Sequence, residues 1–286
     1  MDTGAYLDRI AFRGPTAPTA ETLVALQTAH LLAVPFENLD IHLGRPISQD
    51  EGALFAKIVG ARRGGFCYEL NGLFAALLRA LGFGVDLVSA RFPEETAADG
   101  YSPEFDHQVL LVAVPGEADR WLADVAGGRT GSSRPLRLVA GVEQPDPHDG
   151  TPFLVTEAGA GAFWSLWRVS DGAWGELYRF STIPRRPADF AAMCRHHQTS
   201  PDSPFPTGPV CSRLTPDGRV TLREDRLIVT RGGERTETPL ADPDAVRAAL
   251  WDHFAIALPA DRPPRSPLAA PVGGAGAGAG AGAGSP

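Results

Sequence analysis

The clearest chemistry in the chain belongs to Cys67, in the run Arg62-Arg-Gly-Gly-Phe-Cys67-Tyr-Glu-Leu-Asn-Gly-Leu. Gly64-Gly65 breaks regular structure, and a strongly periodic apolar segment starts directly afterwards, so Cys67 falls on the first turn of a helix. Free backbone N–H groups and the helix dipole favour a thiolate there, and the thiolate is the form that attacks a carbonyl. Such a nucleophile needs a base, and the base needs an orienting group. Phe105-Asp-His107-Gln-Val-Leu-Leu-Val sets His107 at the start of a strand, and Arg120-Trp-Leu-Ala-Asp124-Val sets Asp124 at the end of the next. In an antiparallel hairpin those two positions share one end of the sheet. An imidazole bridging carboxylate to thiol is the apparatus of nucleophilic acyl chemistry, either transfer or the hydrolysis of transglutaminase-like and protease-like enzymes. Read singly, Cys67 fits a small buried hydrophobe and His107 a capped strand edge. The three together carry the chemical reading.

The elements that must position these residues follow from the period of the apolar pattern. Leu70, Leu73, Phe74, Leu77, Leu78 and Leu81 mark one face of a helix behind Cys67, closed by Gly82. Before it, Thr19 caps a helix carrying Leu23, Leu26 and Leu31 that Pro35 ends, and Ser48 with Glu51 forms a capping box ahead of Leu54, Phe55 and Ile58. From Val85 the period becomes that of strands. Runs at Val85–Ala90, Val109–Val114, Trp121–Val125, Leu136–Leu138, Phe153–Val155, Phe163–Val169 and Glu176–Phe180 predict a small barrel or sandwich, with Pro115-Gly116-Glu-Ala-Asp as one hairpin connection. Beyond Pro201-Asp-Ser-Pro-Phe, alternation at Val220, Leu222, Leu227 and Val229 predicts further strands. A last helix is opened by Asp242 with Pro243 at its first position.

Composition removes several classes of function. With 34 acidic against 26 basic side chains and a net charge of −8, the chain lacks the clustered cations of a nucleic-acid protein. The N-terminus has neither the basic nor the apolar region of a signal peptide. No stretch approaches the roughly 20 apolar residues of a membrane span, so the expected location is cytoplasmic. Three cysteines, Cys67, Cys194 and Cys211, are an odd set for a disulfide framework. Cys194-Arg-His196-His197 resembles half a metal site, but no second ligand pair accompanies it, so no metal is expected. The Gly/Ala run at the C-terminal end predicts a mobile tail.

The sequence resembles the arylamine N-acetyltransferase family. Arg63-Gly-Gly-Phe-Cys67-Tyr-Glu69-Leu-Asn71 matches that family's RGG-x-C-x-E-x-N element. Val34-Pro-Phe36-Glu37-Asn38-Leu matches its P-F-E-N-L element, and Phe254-Ala-Ile-Ala-Leu-Pro is similar to its closing stretch. The resemblance implies an α+β fold with a protease-like Cys–His–Asp triad: a helical bundle over 1–88, a β-barrel over 89–190, an α/β lid over 191–270 and the tail over 271–286. It also implies acetyl-CoA as co-substrate, no tightly bound cofactor, and ping-pong transfer through a Cys67 thioester to an arylamine or hydrazine. Arg63, Glu69 and Asn71 would support the triad, Phe36 would line the acceptor pocket, and Ser203, in the loop before the lid, would contact CoA. One departure stands out. The family's D-[VA]-G-F-G becomes Asp124-Val-Ala-Gly127-Gly128, so an aromatic wall of the acceptor pocket is replaced by Gly127. A wider site fits related amide synthases, which close macrolactams from a polyketide held on an acyl carrier protein. Gly127 through Ser132, Gly128 included, also offers backbone N–H groups to a pyrophosphate.

Overall fold

The computed structural model describes residues 1–159 and 161–258. The expected Gly/Ala tail and Pro259 of the closing stretch lie outside the described residues. The N-terminal part is helical: α1 (Thr3–Arg9), α2 (Ala20–Ala33), a short strand β1 (Phe36–Glu37), α3 (Leu39–His42), α4 (Glu51–Phe55) running on as a π turn over Ala56–Gly60, and α5 (Cys67–Ala80). Thr19 caps α2 by accepting from Thr22 N–H at 3.3 Å. The capping box expected on Ser48 and Glu51 does not form. Asp50 takes the cap instead, accepting from Ala53 N–H at 3.0 Å, while Ser48 Oγ accepts from Asp50 N–H at 3.1 Å. A carboxylate one residue before the first helical position outcompetes the more distant hydroxyl for the free donors. On α5 the apolar face is Leu70, Leu73, Phe74, Leu77 and Leu78, all fully buried, and Gly82 turns the chain out at φ +95°.

Eight strands follow: β2 (Gly84–Arg91), β3 (His107–Ala113), β4 (Arg120–Ala123), β5 (Leu136–Arg137), β6 (Gln144–Pro145), β7 (Pro152–Ala158), β8 (Phe163–Ser170) and β9 (Ala173–Ser181). They form one antiparallel sheet in the order β5-β4-β3-β2-β9-β8-β7-β6, curled into a nearly closed barrel. Its open seam is bridged by a side chain. Gln144 accepts from Arg137 N–H at 2.8 Å and donates to Arg137 O at 2.9 Å, imitating the missing ladder pair between β5 and β6. Strand β3 is buried on both faces. Leu110 and Val112 pack toward α5, whereas Val109 and Leu111 fill the barrel. The hairpin of β3 and β4 is antiparallel, with Leu110 opposite Ala123, so the start of one and the end of the other lie together.

The C-terminal part holds α6 (Ala191–Thr199), β10 (Val210–Thr215), β11 (Gly218–Arg223), β12 (Arg226–Arg231), β13 (Glu234–Pro239) and α7 (Pro243–Phe254). Asp242 caps α7 by accepting from Ala245 N–H at 2.9 Å, with Pro243 on its first turn. This part is sewn into the helical one. Strand β1 forms the edge of the β10–β13 sheet, with Phe36 opposite Ser212. Leu39 and Leu43 of the helical part share a core with Leu222, Leu250 and Phe254.

Candidate active site

Two short sequence runs meet beneath the start of α5. Phe36 bridges Gly65, and Glu37 N–H donates to Gly65 O at 2.9 Å. Both glycines are demanded by close approach: a Cβ on Gly64 would stand 1.9 Å from Pro35 O, and one on Gly65 would stand 2.7 Å from Glu69 Oε2. The space at Gly65 lets Glu69 turn back and accept from Phe66 N–H at 3.1 Å, capping the helix that begins with Cys67.

Around that cap lies a buried cluster of charge. Arg63 donates to Glu37 Oε1 through Nε at 3.0 Å and to Asp40 Oδ1 through Nη2 at 3.0 Å. Lys57 Nζ, the only lysine of the chain, reaches Asp40 Oδ2 and Glu69 Oε1, each at 2.7 Å. Burial pushes the Glu69 carboxyl up to about 7, with Glu37 adding to the rise and Lys57 restraining it. Burial opposes the charge of Asp40 too, but Lys57 and Arg63 hold its carboxyl below the usual range. Two cations thus tie β1, α3, the π turn and the first turn of α5 into one unit.

Helix α5 also holds the other two members of the constellation. Asn71, one turn after Cys67, donates to Asp124 Oδ1 at 2.9 Å and to Gln108 O at 2.6 Å, and accepts from Val125 N–H at 2.9 Å. Asp124 Oδ1 also accepts from Ala126 N–H at 2.8 Å. Its Oδ2 accepts from His107 Nε2 at 2.8 Å and from the Tyr178 hydroxyl at 3.4 Å. The Cys67 side chain also acts to raise the imidazole of His107, and with Nε2 on Asp124 the ring nitrogen left for the sulfur is Nδ1. Cys67, His107 and Asp124 are 3%, 4% and 8% exposed. Burial alone would lower the basicity of His107. The Asp124 carboxylate, with a smaller contribution from the Cys67 sulfur, overrides it and raises the imidazole to about 10. Burial likewise opposes ionisation of Asp124, and His107, Asn71 and Ala126 hold its carboxyl low. The site can therefore keep a protonated imidazole between carboxylate and sulfur at neutral pH. Burial pushes the Cys194 thiol up to about 12 and Cys211 well above its ordinary value, so neither competes as a nucleophile. Tyr178 and Phe92, whose rings both lie 5.5 Å from the His107 ring, have no mark in the sequence. Tyr178 arrives from β9, which pairs with β2 across the sheet.

A family model described as N-acetyltransferase matches residues 19–262. The arylamine N-acetyltransferase of Mycolicibacterium smegmatis is 39% identical over 259 residues, which cover 90% of this chain and 93% of that protein. The chain belongs to the arylamine N-acetyltransferase family. The Escherichia coli arylamine N-acetyltransferase is 33% identical over 253 residues, covering 88% of this chain and 87% of that one. Among solved structures, the M. smegmatis enzyme superposes with a TM-score of 0.82 over 90% of this chain and 92% of its own at 39% identity. The Mycobacterium marinum arylamine N-acetyltransferase in complex with CoA superposes with a TM-score of 0.81 at 35% identity, over 89% of this chain and 93% of its own. As a member of the arylamine N-acetyltransferase family, the chain is an acetyl-transferring enzyme.

Within that family's frame the remaining expected residues take varied positions. Phe36 is half-buried on β1, its ring 6.2 Å from that of Phe205. Ser203, expected at a CoA contact, is 2% exposed, and its hydroxyl lies 3.0 Å from His197 Nδ1. A hydroxyl buried against His197 of α6 presents no surface to a nucleotide. Gly128 turns at φ +59°. The N–H of Gly131 donates to Gly127 O at 2.9 Å, so the glycine-rich run closes on itself. A Cβ on Gly127 would meet Gly131 Cα at 2.7 Å and Asp124 Oδ2 at 3.3 Å. At the position of the missing aromatic the structure therefore has a tight backbone crossing. Gly127→Ala is expected to cost about 1–3 kcal/mol, the usual penalty of overpacking, and Gly127→Phe more. Denaturant melts check this. Unchanged midpoints, with acceptor selectivity shifted toward small amines by the Phe variant, would restore the open-pocket account.

Proposed function

We propose that the chain carries an acetyl group from acetyl-CoA to an aromatic amine or hydrazine by a ping-pong route through a thioester on Cys67. The observation that supports this best is the His107–Asp124 pair, buried together with Cys67, which stands at the first turn of α5. The Cys67 thiolate adds to the thioester carbonyl of acetyl-CoA, and the resulting oxyanion faces the N–H at the helix start, which has no intrahelical acceptor. Collapse breaks the bond to the CoA sulfur, and the His107 imidazolium protonates that leaving thiolate. One thioester replaces another, so the exchange is nearly isoenergetic and orientation does most of the work. In the second half the amine nitrogen adds to the acetyl-Cys67 carbonyl, His107 takes the nitrogen's proton, and the Cys67 thiolate is expelled. Asp124 orients the imidazole throughout and balances its charge.

Intact-mass analysis tests the route. Acetyl-CoA alone should add one acetyl group per chain, mapped by peptide analysis to Cys67, and a following arylamine should remove it with stoichiometric amide formation. Amide formed without any acetyl-enzyme, including in rapidly quenched samples, would replace the ping-pong route with direct transfer in a ternary complex.

A further inference from the structure

The turn that delivers His107 to β3 is strained and heavily tied. Phe105 sits at φ +70°, a region side-chain-bearing residues rarely enter. Its N–H donates to Ser89 Oγ at 2.8 Å. The Tyr68 hydroxyl donates to Phe105 O at 2.8 Å and lies 3.2 Å from Asp106 O. From α6, His197 Nε2 reaches Asp106 O at 3.2 Å and Asp106 Oδ1 at 3.0 Å. Carbonyl and carboxylate only accept, so Nε2 carries the hydrogen. Nδ1 is then free to accept, and Ser203 Oγ stands 3.0 Å from it while accepting from Phe205 N–H at 3.3 Å.

Ser203, His197 and Asp106 have the residue types of a hydrolytic triad, but Ser203 is 2% and His197 4% exposed, which leaves no approach for a substrate. None of the three has a role in the route above. Asp106, the member that His197 holds, is the residue immediately before the imidazole. The same segment also touches the residue immediately before the sulfur. The Phe205 ring meets His197 edge-on at 5.0 Å and Phe66 edge-on at 5.7 Å. Asn38 Nδ2 anchors the segment by donating to Phe205 O at 2.9 Å.

We propose that His197, oriented by Ser203, is a positioning residue for the reaction: it clamps Asp106 and so fixes where the His107 imidazole stands relative to Cys67. The proposal rests on the reading of Cys67 as the acylated residue.

Single-turnover acetylation of Cys67 by acetyl-CoA, followed by intact mass on the full chain, provides the test. His197→Phe keeps the ring's bulk and removes its donor, whereas His197→Gln keeps an N–H within reach of Asp106. The Phe variant should retain its fold and show a maximal acylation rate roughly ten- to a hundredfold lower, as misplacement of a reacting group by about 1 Å produces. The acetyl-CoA concentration giving half-maximal rate should stay unchanged. The Gln variant should recover most of the loss, and Ser203→Ala should fall between Gln and Phe. A folded Phe variant that acylates at the parental rate would overturn the proposal, as would a loss that Gln leaves unrepaired. Should the Phe variant fail to fold, parental rates in Ser203→Ala overturn it equally. A parent chain that is never acetylated overturns the Cys67 reading itself, and this proposal with it.

Discussion

Asp124→Asn is expected to lower the rate of Cys67 acetylation by about 10³–10⁴ while leaving the fold intact. Asn71 Nδ2 and Ala126 N–H both point donors at Oδ1, so the amide oxygen of the variant settles there. Its NH₂ then faces His107 Nε2, which must become an acceptor, and the ring proton moves to Nδ1 and points at the sulfur. That tautomer cannot take a proton from the thiol. Stability should respond as well. In the parent chain the imidazole is raised from 6.5 to about 10, so its contribution is full below pH 6.5 and is lost as pH rises through 10. Without the carboxylate, burial acts downward on His107, opposed only by the smaller lift from the Cys67 sulfur. The decline of Tm across that alkaline window should therefore flatten in the variant. Stopped-flow acylation and melts at several pH values measure both effects. Acylation within tenfold of the parent would make Asp124 a structural residue and end its proposed role.

Arg63→Ala is expected to be the most destabilising single change at the site that spares the triad. Its side chain is 7% exposed and faces Glu37 at 2.8 Å and Asp40 at 3.0 Å. Removing it strands buried carboxylates beside Lys57, a loss of about 3–5 kcal/mol for a broken buried pair. For a chain of this size that is on the order of ten degrees in Tm. Arg63→Lys should recover only part of it, because a single ammonium cannot reproduce the forked donation from Nε and Nη2. A loss of a degree or two in the Ala variant would mean that water or side-chain movement relieves the stranded charge, and that the cluster does not hold α5 in place.

What could be read in advance depended on whether the signal was local. Gly-Gly before an amphipathic run located the start of α5, and the hairpin pattern brought His107 and Asp124 to one end of the sheet. The meeting of Cys67, His107 and Asp124 was legible for that reason. Asn71 was legible as part of a motif, although its three hydrogen bonds to the Asp124 region were not. Tyr178 left no trace and His197 drew notice only as part of half a metal site, because they reach the site through sheet pairing and through the packing of α6. Neither leaves a period in the chain. The exchange of Ser48 for Asp50 at the start of α4 shows the limit of short motifs: two acceptors competed for one set of donors, and spacing alone did not rank them. Gly127 was visible as a departure from the family, but its tight crossing with Gly131 exists only in three dimensions.

Lys57 has a consequence of another kind. An acetyl thioester gives its acyl group to whatever amine reaches it, and in most proteins the commonest amine is a surface lysine. Here the sole ε-amine is 15% exposed and gripped by Asp40 and Glu69. Every other Lys/Arg position is an arginine, whose guanidinium stays protonated and is a poor nucleophile. Two loaded molecules that collide therefore offer each other no side-chain amine to modify. On the proposed thioester route, the chain is protected by its own composition, and by the burial of one residue, from the acetyl group it would store.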